Sequence, residues 1–163
     1  MTFSQYLIPE FDDEMKNTRK ILELVPDGKF DYQPHAKSMS LGRLASHVAD
    51  MPGWASITID VDVLEMQPGT KPYTAGTRSE LLADFDAKVA DARGKIAAAT
   101  DEHWAQTWTF KYGGQTIIAM PRWQVMRGMV MNHLVHHRAQ LGVFLRLLDV
   151  PIPGMYGPSA DEK

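Results

Sequence analysis

Four stretches of this chain repeat their apolar residues every three or four positions, the pattern of helices that each bury one stripe. The first runs from about Ser4 to Val25, with Ile8, Phe11, Met15, Thr18, Leu22 and Val25 on the stripe, until Pro26-Asp27-Gly28 breaks it. The second opens at Ser40, a residue type that caps helix N-termini, and carries Leu44, His47, Met51, Trp54 and Thr58 on one face. Pro52 lies inside it and is expected to kink or weaken one turn before the pattern fades near Glu65. The third begins at Thr77-Arg78-Ser79-Glu80, which reads as a capping box: the threonine hydroxyl and the glutamate each satisfy a free backbone N–H of the first turn. Its stripe is Leu82, Phe85, Val89, Ala92, Ile96 and Ala99. The fourth opens at Pro121, suits a first helical turn there, and stops before Pro151 and Pro153. Its stripe is Met126, Val130, His133, His137, Leu141, Phe144 and Leu148.

The stretches between are short. Lys29 to Ser38 has no stripe and reads as a loop. Trp104 to Met120 is rich in aromatic and β-branched residues around Gly113-Gly114, which predicts a hairpin or an extended excursion. No Gly-, Ser- or Pro-rich linker and no repeat interrupts the 163 residues. The expectation is an all-α fold: one domain over 1–163, a four-helix bundle with a short β-hairpin or extended excursion between helices 3 and 4.

Two positions on the fourth stripe, where a core normally places Leu or Ile, are histidines. His133 and His137 are four apart, so on a helix they project about 40° from each other and about 6 Å apart along the axis. Both rings can reach one point, which is how a helix offers two nitrogens to a metal. His47 holds the matching place on the second stripe, between Leu44 and Met51. Three inward imidazoles from two facing helices would share one divalent cation and leave positions open for another ligand. The alternative is three core histidines, each bonded to a nearby hydroxyl or carbonyl. His136 is an alternative ligand or a flank residue. Asp50, three after His47, either orients that ring, joins the metal, or is a solvated surface charge. Met51 and Trp54 either line the open side or belong to the core. His35 and His103 have no such spacing and are expected at the surface. The run His133-Leu134-Val135-His136-His137 lacks the glutamate that a His-Glu-x-x-His peptidase uses as its base.

The chain has no cysteine, so disulfides, thiolate metal sites and a protein thiol nucleophile are excluded, and any thiol chemistry must bring its sulfur from outside. Seventeen basic against twenty acidic side chains leave a net charge of −3, which argues against nucleic acid as the partner. The start, Met1-Thr2-Phe3-Ser4-Gln5, does not read as a signal peptide, and no apolar run approaches the ~18 residues of a membrane span. The expected location is the cytoplasm.

The runs Ser40-Leu41-Gly42-Arg43-Leu44-Ala45-Ser46-His47 and Asn132-His133-Leu134-Val135-His136-His137-Arg138-Ala139-Gln140, with Asp31-Tyr32-Gln33-Pro34-His35 before them and Tyr156-Gly157-Pro158-Ser159-Ala160-Asp161-Glu162 at the end, resemble the DinB-like superfamily of damage-inducible and related proteins. The resemblance spans nearly the whole chain. It implies a four-helix bundle, a homodimer, and a divalent metal, zinc or nickel, on His47, His133 and His137. It also implies kinship with transferases and isomerases that use low-molecular-weight thiols such as bacillithiol or mycothiol.

Three functions follow as expectations. The first is a metal-dependent enzyme that activates a small thiol for transfer to a small electrophile. The second keeps the site but activates hydroxide for hydrolysis. The third is a metal-binding stress protein without catalysis, in which the ion holds the helices together.

Overall fold

The computed structural model describes residues 1–162. Helix α1 (Phe3–Leu22) starts at Thr2, whose side chain accepts from the Gln5 backbone N–H while the Gln5 side chain accepts from Thr2 N–H. It buries Leu7, Phe11, Met15, Thr18, Ile21 and Leu22. The row begins at Ser4 and passes through Leu7, with Ile8 only partly buried. The helix ends three residues earlier than expected, and Val25 reaches the core from the turn that follows.

Helix α2 (Leu41–Asp60) is capped by Ser40, whose hydroxyl oxygen accepts from Arg43 N–H at 3.3 Å. It runs through the buried Pro52 without interruption, so the expected weak turn is absorbed by packing. It stops at Asp60, short of Glu65, because the next residues form strand β1 (Val63–Met66). Helix α3 (Arg78–Ala98) is capped by Thr77, which accepts from Glu80 N–H. The Glu80 carboxylate does not close a box on Thr77; it accepts from Gly76 N–H at 2.8 Å, one residue further back. Helix α3 buries Leu81, Phe85, Ala92 and Ile96, so Leu81 takes the place expected for Leu82.

After the short helix α4 (Asp101–Ala105) come strands β2 (Thr107–Tyr112) and β3 (Gln115–Pro121). They pair antiparallel across Gly113 and Gly114, both at positive φ, 54° and 80°. Two consecutive left-handed residues make the tight turn that matches strand twist, and glycine adopts it without strain. The expected hairpin is therefore present. A third strand is added: β1 lies parallel to β2, pairing Val63 with Thr109 through Met66 with Tyr112. The chain is mostly helical with a small three-stranded sheet in the order β1-β2-β3.

The last rod departs from an ideal helix. It runs as α5 (Arg122–Val125), a π-helical stretch Met126–Asn132, and α6 (His133–Leu147). Along it Arg122, Met126, Val130, Leu134 and Arg138 are buried, each four residues after the last. In an α-helix each such step drifts about 40°, so four would turn the row about 160° away from the core. The wider i→i+5 turns take up that drift. Beyond them Leu141 is buried as expected, but Leu134, Arg138 and Leu145 take the inward places one position on from His133, His137 and Phe144, which, like Leu148, are only partly buried.

Long helices α1, α2, α3 and α6 pack on one another around a common apolar core. Arg122 fastens the start of the last rod to the end of α2. Its buried guanidinium donates to the carbonyls of Thr58 (2.9 Å) and Val61 (3.2 Å) and to Asp62 (2.5 Å), which answers the free carbonyls of a helix C-terminus. An Arg122→Met variant keeps the bulk and strands those carbonyls. It should lose roughly 2–3 kcal/mol of stability, read as a lower urea midpoint at an unchanged slope.

Candidate metal centre

His47 leaves the middle of α2 and faces the last rod, where His133 opens α6 and His137 follows one turn later. One ligand nitrogen from each ring lies within 4.8 Å of the others. His133 Nε2 is 3.3 Å from His47 Nε2 and 2.8 Å from His137 Nε2. The opposite nitrogens are engaged. His133 Nδ1 meets the Met129 carbonyl at 3.3 Å, and His137 Nδ1 meets Gln140 Oε1 at 2.7 Å. A carbonyl oxygen only accepts, so each Nδ1 carries the proton and each Nε2 presents a lone pair to the centre.

Two lone pairs at such range repel unless a cation lies between them. Ligand nitrogens 2.0–2.1 Å from one ion are about 3.3 Å apart at a tetrahedral angle and about 2.9 Å apart at a right angle. The observed 3.3 and 2.8 Å fit those separations. The three residues therefore suit a divalent metal. Nitrogen donors of this kind serve zinc, nickel, copper or iron alike, so the geometry does not select the metal.

The rings are held neutral, as ligands must be. His47 is pushed down to about 4, first by burial and then by the charges of His137, His133 and Arg43, with Asp50 opposing. Burial also lowers His133 and His137, opposed by the hydrogen bonds that they donate to Met129 and Gln140.

The structure separates the other candidates. His136 is exposed and lies edge-on against His137, ring centres 4.8 Å apart, at the flank. Asp50 turns from the rings and accepts from Lys88 Nζ at 2.7 Å and Trp54 Nε1 at 3.3 Å. Met51 is in the core. Trp54 is partly buried and packs edge-on against Phe110 of the sheet. His35 is exposed, as expected. His103 is not a plain surface residue: it is partly buried, and its Nε2 donates to the Ile59 carbonyl at 2.8 Å, tying α4 to the end of α2. Inward placement of the pair is the larger correction. The π-helical stretch turns His133 and His137 from the centre of the core to its edge, where a ligand can reach them.

The DinB family model matches residues 2–163. The chain belongs to the DinB family. It is 25% identical over 158 residues to the uncharacterized protein YrdA of Bacillus subtilis (strain 168), covering 96% of this chain and 90% of that protein. The crystal structure of a DinB-like protein from Bacillus cereus ATCC 10987 superposes with a TM-score of 0.70 at 17% identity, over 95% of this chain and 98% of that one. A second DinB-like protein, YjoA of Bacillus subtilis, does so at 0.66 and 13%, over 92% and 97%. At these identities the likeness is one of fold.

Two residues that follow the histidine pair in this DinB chain acquire roles only here. Gln140 holds His137 by its Nδ1. Arg138 is buried and faces the other way, donating to the Glu14 carbonyl and Thr18 Oγ1 at 3.0 Å each and to Tyr156 Oη at 2.6 Å, with the Glu14 carboxylate also at 2.6 Å. A helical i, i+3 spacing was the one signal in the sequence that linked Gln140 to His137.

Gln140→Leu should weaken zinc binding by about 10–100-fold, since it frees the ring it orients, as read by competition with a chromophoric chelator. A second outcome concerns acid. The ordinary imidazole value is about 6.5, and the folded His47 lies near 4, so the unfolded chain binds more protons between those limits. The His47 contribution to the stability of the metal-free protein should then be full above pH 6.5, fall as pH drops towards 4, and level below it. His47→Leu should flatten that slope in urea titrations at pH 7, 5.5 and 4.

Proposed function

We propose that this protein is a four-helix-bundle metalloenzyme that brings a low-molecular-weight thiol to a small electrophile at a zinc or nickel ion on His47, His133 and His137. The observation that carries the proposal is the convergence of three neutral imidazole nitrogens, two of them pinned from behind, beside a cavity of about 410 Å³ that reaches His137. A divalent ion in such a set lowers the pKa of a bound thiol or water and holds it as a nucleophile.

The residues of the chain supply the rest. Met129 and Gln140 keep the two rings in the tautomer that faces inward. Met39, Leu44, Val143 and Phe144 line the cavity and would seat an apolar substrate body away from water. The sulfur belongs to the cosubstrate, because the chain has no cysteine.

Thiol chemistry is favoured over hydrolysis by the lack of a base. The cluster holds histidines alone, and the nearby Asp50 is committed to Lys88 and Trp54. A thiol begins near pKa 8.5, whereas water begins at about 15.7. The thiol needs far less help to ionise. A three-nitrogen set beside a cavity also supports an open coordination position over the closed four-ligand sphere of a structural metal.

Protein purified without an affinity tag should carry close to one zinc or nickel per chain. His133→Ala should lose the metal and at least 100-fold of the rate at which a thiol displaces chloride from 1-chloro-2,4-dinitrobenzene. A chelated sample that conjugates thiols as fast as the loaded one would sink the proposal, and turnover of ester substrates without thiol would favour hydrolysis.

A further inference from the structure

The C-terminal segment after α6 is tied down along its length. Asp161 pairs with Arg146 and accepts from Ile152 N–H at 3.0 Å, Glu162 accepts from Gly154 N–H at 2.9 Å, and Asn17 of α1 donates to the Met155 carbonyl at 3.3 Å. Held in this way, the segment stands off α6 and leaves a cavity of about 410 Å³. Its walls are apolar: Ile21 of α1, Val135, Val143 and Leu147 of α6, and Ile152 and Met155 of the segment. Ala139 and Gly142, the two smallest residues of α6, also border it and leave the space open. Val143 and Leu147 are 59% and 56% exposed, so an apolar occupant would take both from water. The cavity shares one wall residue, Val143, with the cavity at His137, and none of the three imidazoles borders it.

Two cationic side chains border this space, and both already have counterions. Arg146 has Asp161. Arg138, 2% exposed, gives its terminal nitrogens to the Glu14 carbonyl, Thr18 Oγ1, Tyr156 Oη and the Glu14 carboxylate. Its Nε has no partner among the described residues. That N–H keeps contact with solvent, unlike the sealed Trp108 Nε1, and the cavity is the open space that Arg138 borders. Among the described residues no carboxylate lines the cavity, so a cationic ligand would find no acceptor there. An anion would give up its water for cations that are already paired. An unmatched N–H donor in an apolar space therefore selects a neutral molecule with a hydrogen-bond acceptor.

We infer that this cavity is a second binding site, separate from the metal centre, for a neutral apolar molecule that carries a carbonyl or ether oxygen, with Arg138 Nε donating to that oxygen. Its volume suits a molecule the size of a bicyclic ring system. Binding there depends on neither the metal nor the proposed reaction.

The probe is 6-propionyl-2-(dimethylamino)naphthalene, a neutral ketone whose emission moves to the blue in apolar surroundings, titrated into the full chain. It should bind saturably, with blue-shifted emission. The same ring bearing a carboxylate in place of the ketone should compete about tenfold more weakly, because its charge is desolvated for no free counterion. The 6-propyl analogue, which lacks the oxygen, should also compete about tenfold more weakly, because it leaves the N–H unmatched. Arg138→Lys keeps a charge opposite Glu14 but has no Nε–H, and should erase the preference for the ketone over the propyl analogue. Ala139→Trp, at an exposed position, fills the cavity and should abolish binding with zinc content unchanged. If Arg138→Lys fails to fold, Ala139→Trp and the carboxylate competitor still decide. Absence of binding, equal binding to Ala139→Trp, equal competition by the carboxylate, or loss in Met39→Glu at the other cavity instead overturns the inference. So does a dimer that excludes the probe and that Leu147→Glu dissociates, since this face would then belong to a second copy of the chain.

Discussion

The site depends on how the last rod meets the core. Arg122, Met126, Val130, Leu134 and Arg138, all buried, recur every four positions, and a regular α-helix cannot keep such a row on one side. The π-helical stretch Met126–Asn132 resolves the conflict by widening the turn where the drift accumulates. The consequence falls just beyond it. Leu134 and Arg138 take the inward places, and His133 and His137 move to the edge facing His47. A straight helix with the row that its 3.6-residue period suggests would have sealed the two rings inside the core. Deeply sealed rings could still bind an ion, but not one that a substrate reaches.

Two buried arginines hold this arrangement, one at the start of the rod and one within α6. Arg122 sits on the carbonyls that close α2, so the helix of His47 and the rod of the other two histidines share one fastening. Arg138 grips α1 through Glu14 and Thr18 and brings in Tyr156, whose hydroxyl donates to Glu14 at 2.8 Å and so binds the C-terminal segment to the same cluster. Neither cation is left bare, as burial of a charge requires. Arg43, one turn before His47 on α2, has no such set of acceptors among the described residues.

Much of the fold was legible because helices advertise themselves locally. The caps Ser40 and Thr77 and the double glycine at 113 and 114 all stand where the sequence placed them, since each acts on backbone groups within three or four residues. Strand β1 was not legible: four residues carry too little periodicity, and their pairing partner lies more than forty positions away in β2. The approach of His47 to the later pair could be read from matching stripes, but the role of Gln140 could not, because a side-chain hydrogen bond depends on rotamers that spacing does not set. Asp50 shows the converse. Its spacing from His47 invited a role at the centre, and Lys88 from α3 took its carboxylate instead.

What the amino-acid order determined alone was a set of long amphipathic helices, a hairpin, and a protein whose thiol chemistry, if any, is borrowed, because period, turn residues and the absence of cysteine are properties of the chain itself. What the tertiary structure decided was which way each helix faces. The core accepts a rod only where its bulk fits, and that demand outweighed the 3.6-residue period by opening a wider turn. By that shift, three rings that could have been ordinary core residues came to present their nitrogens to one another at a reachable edge.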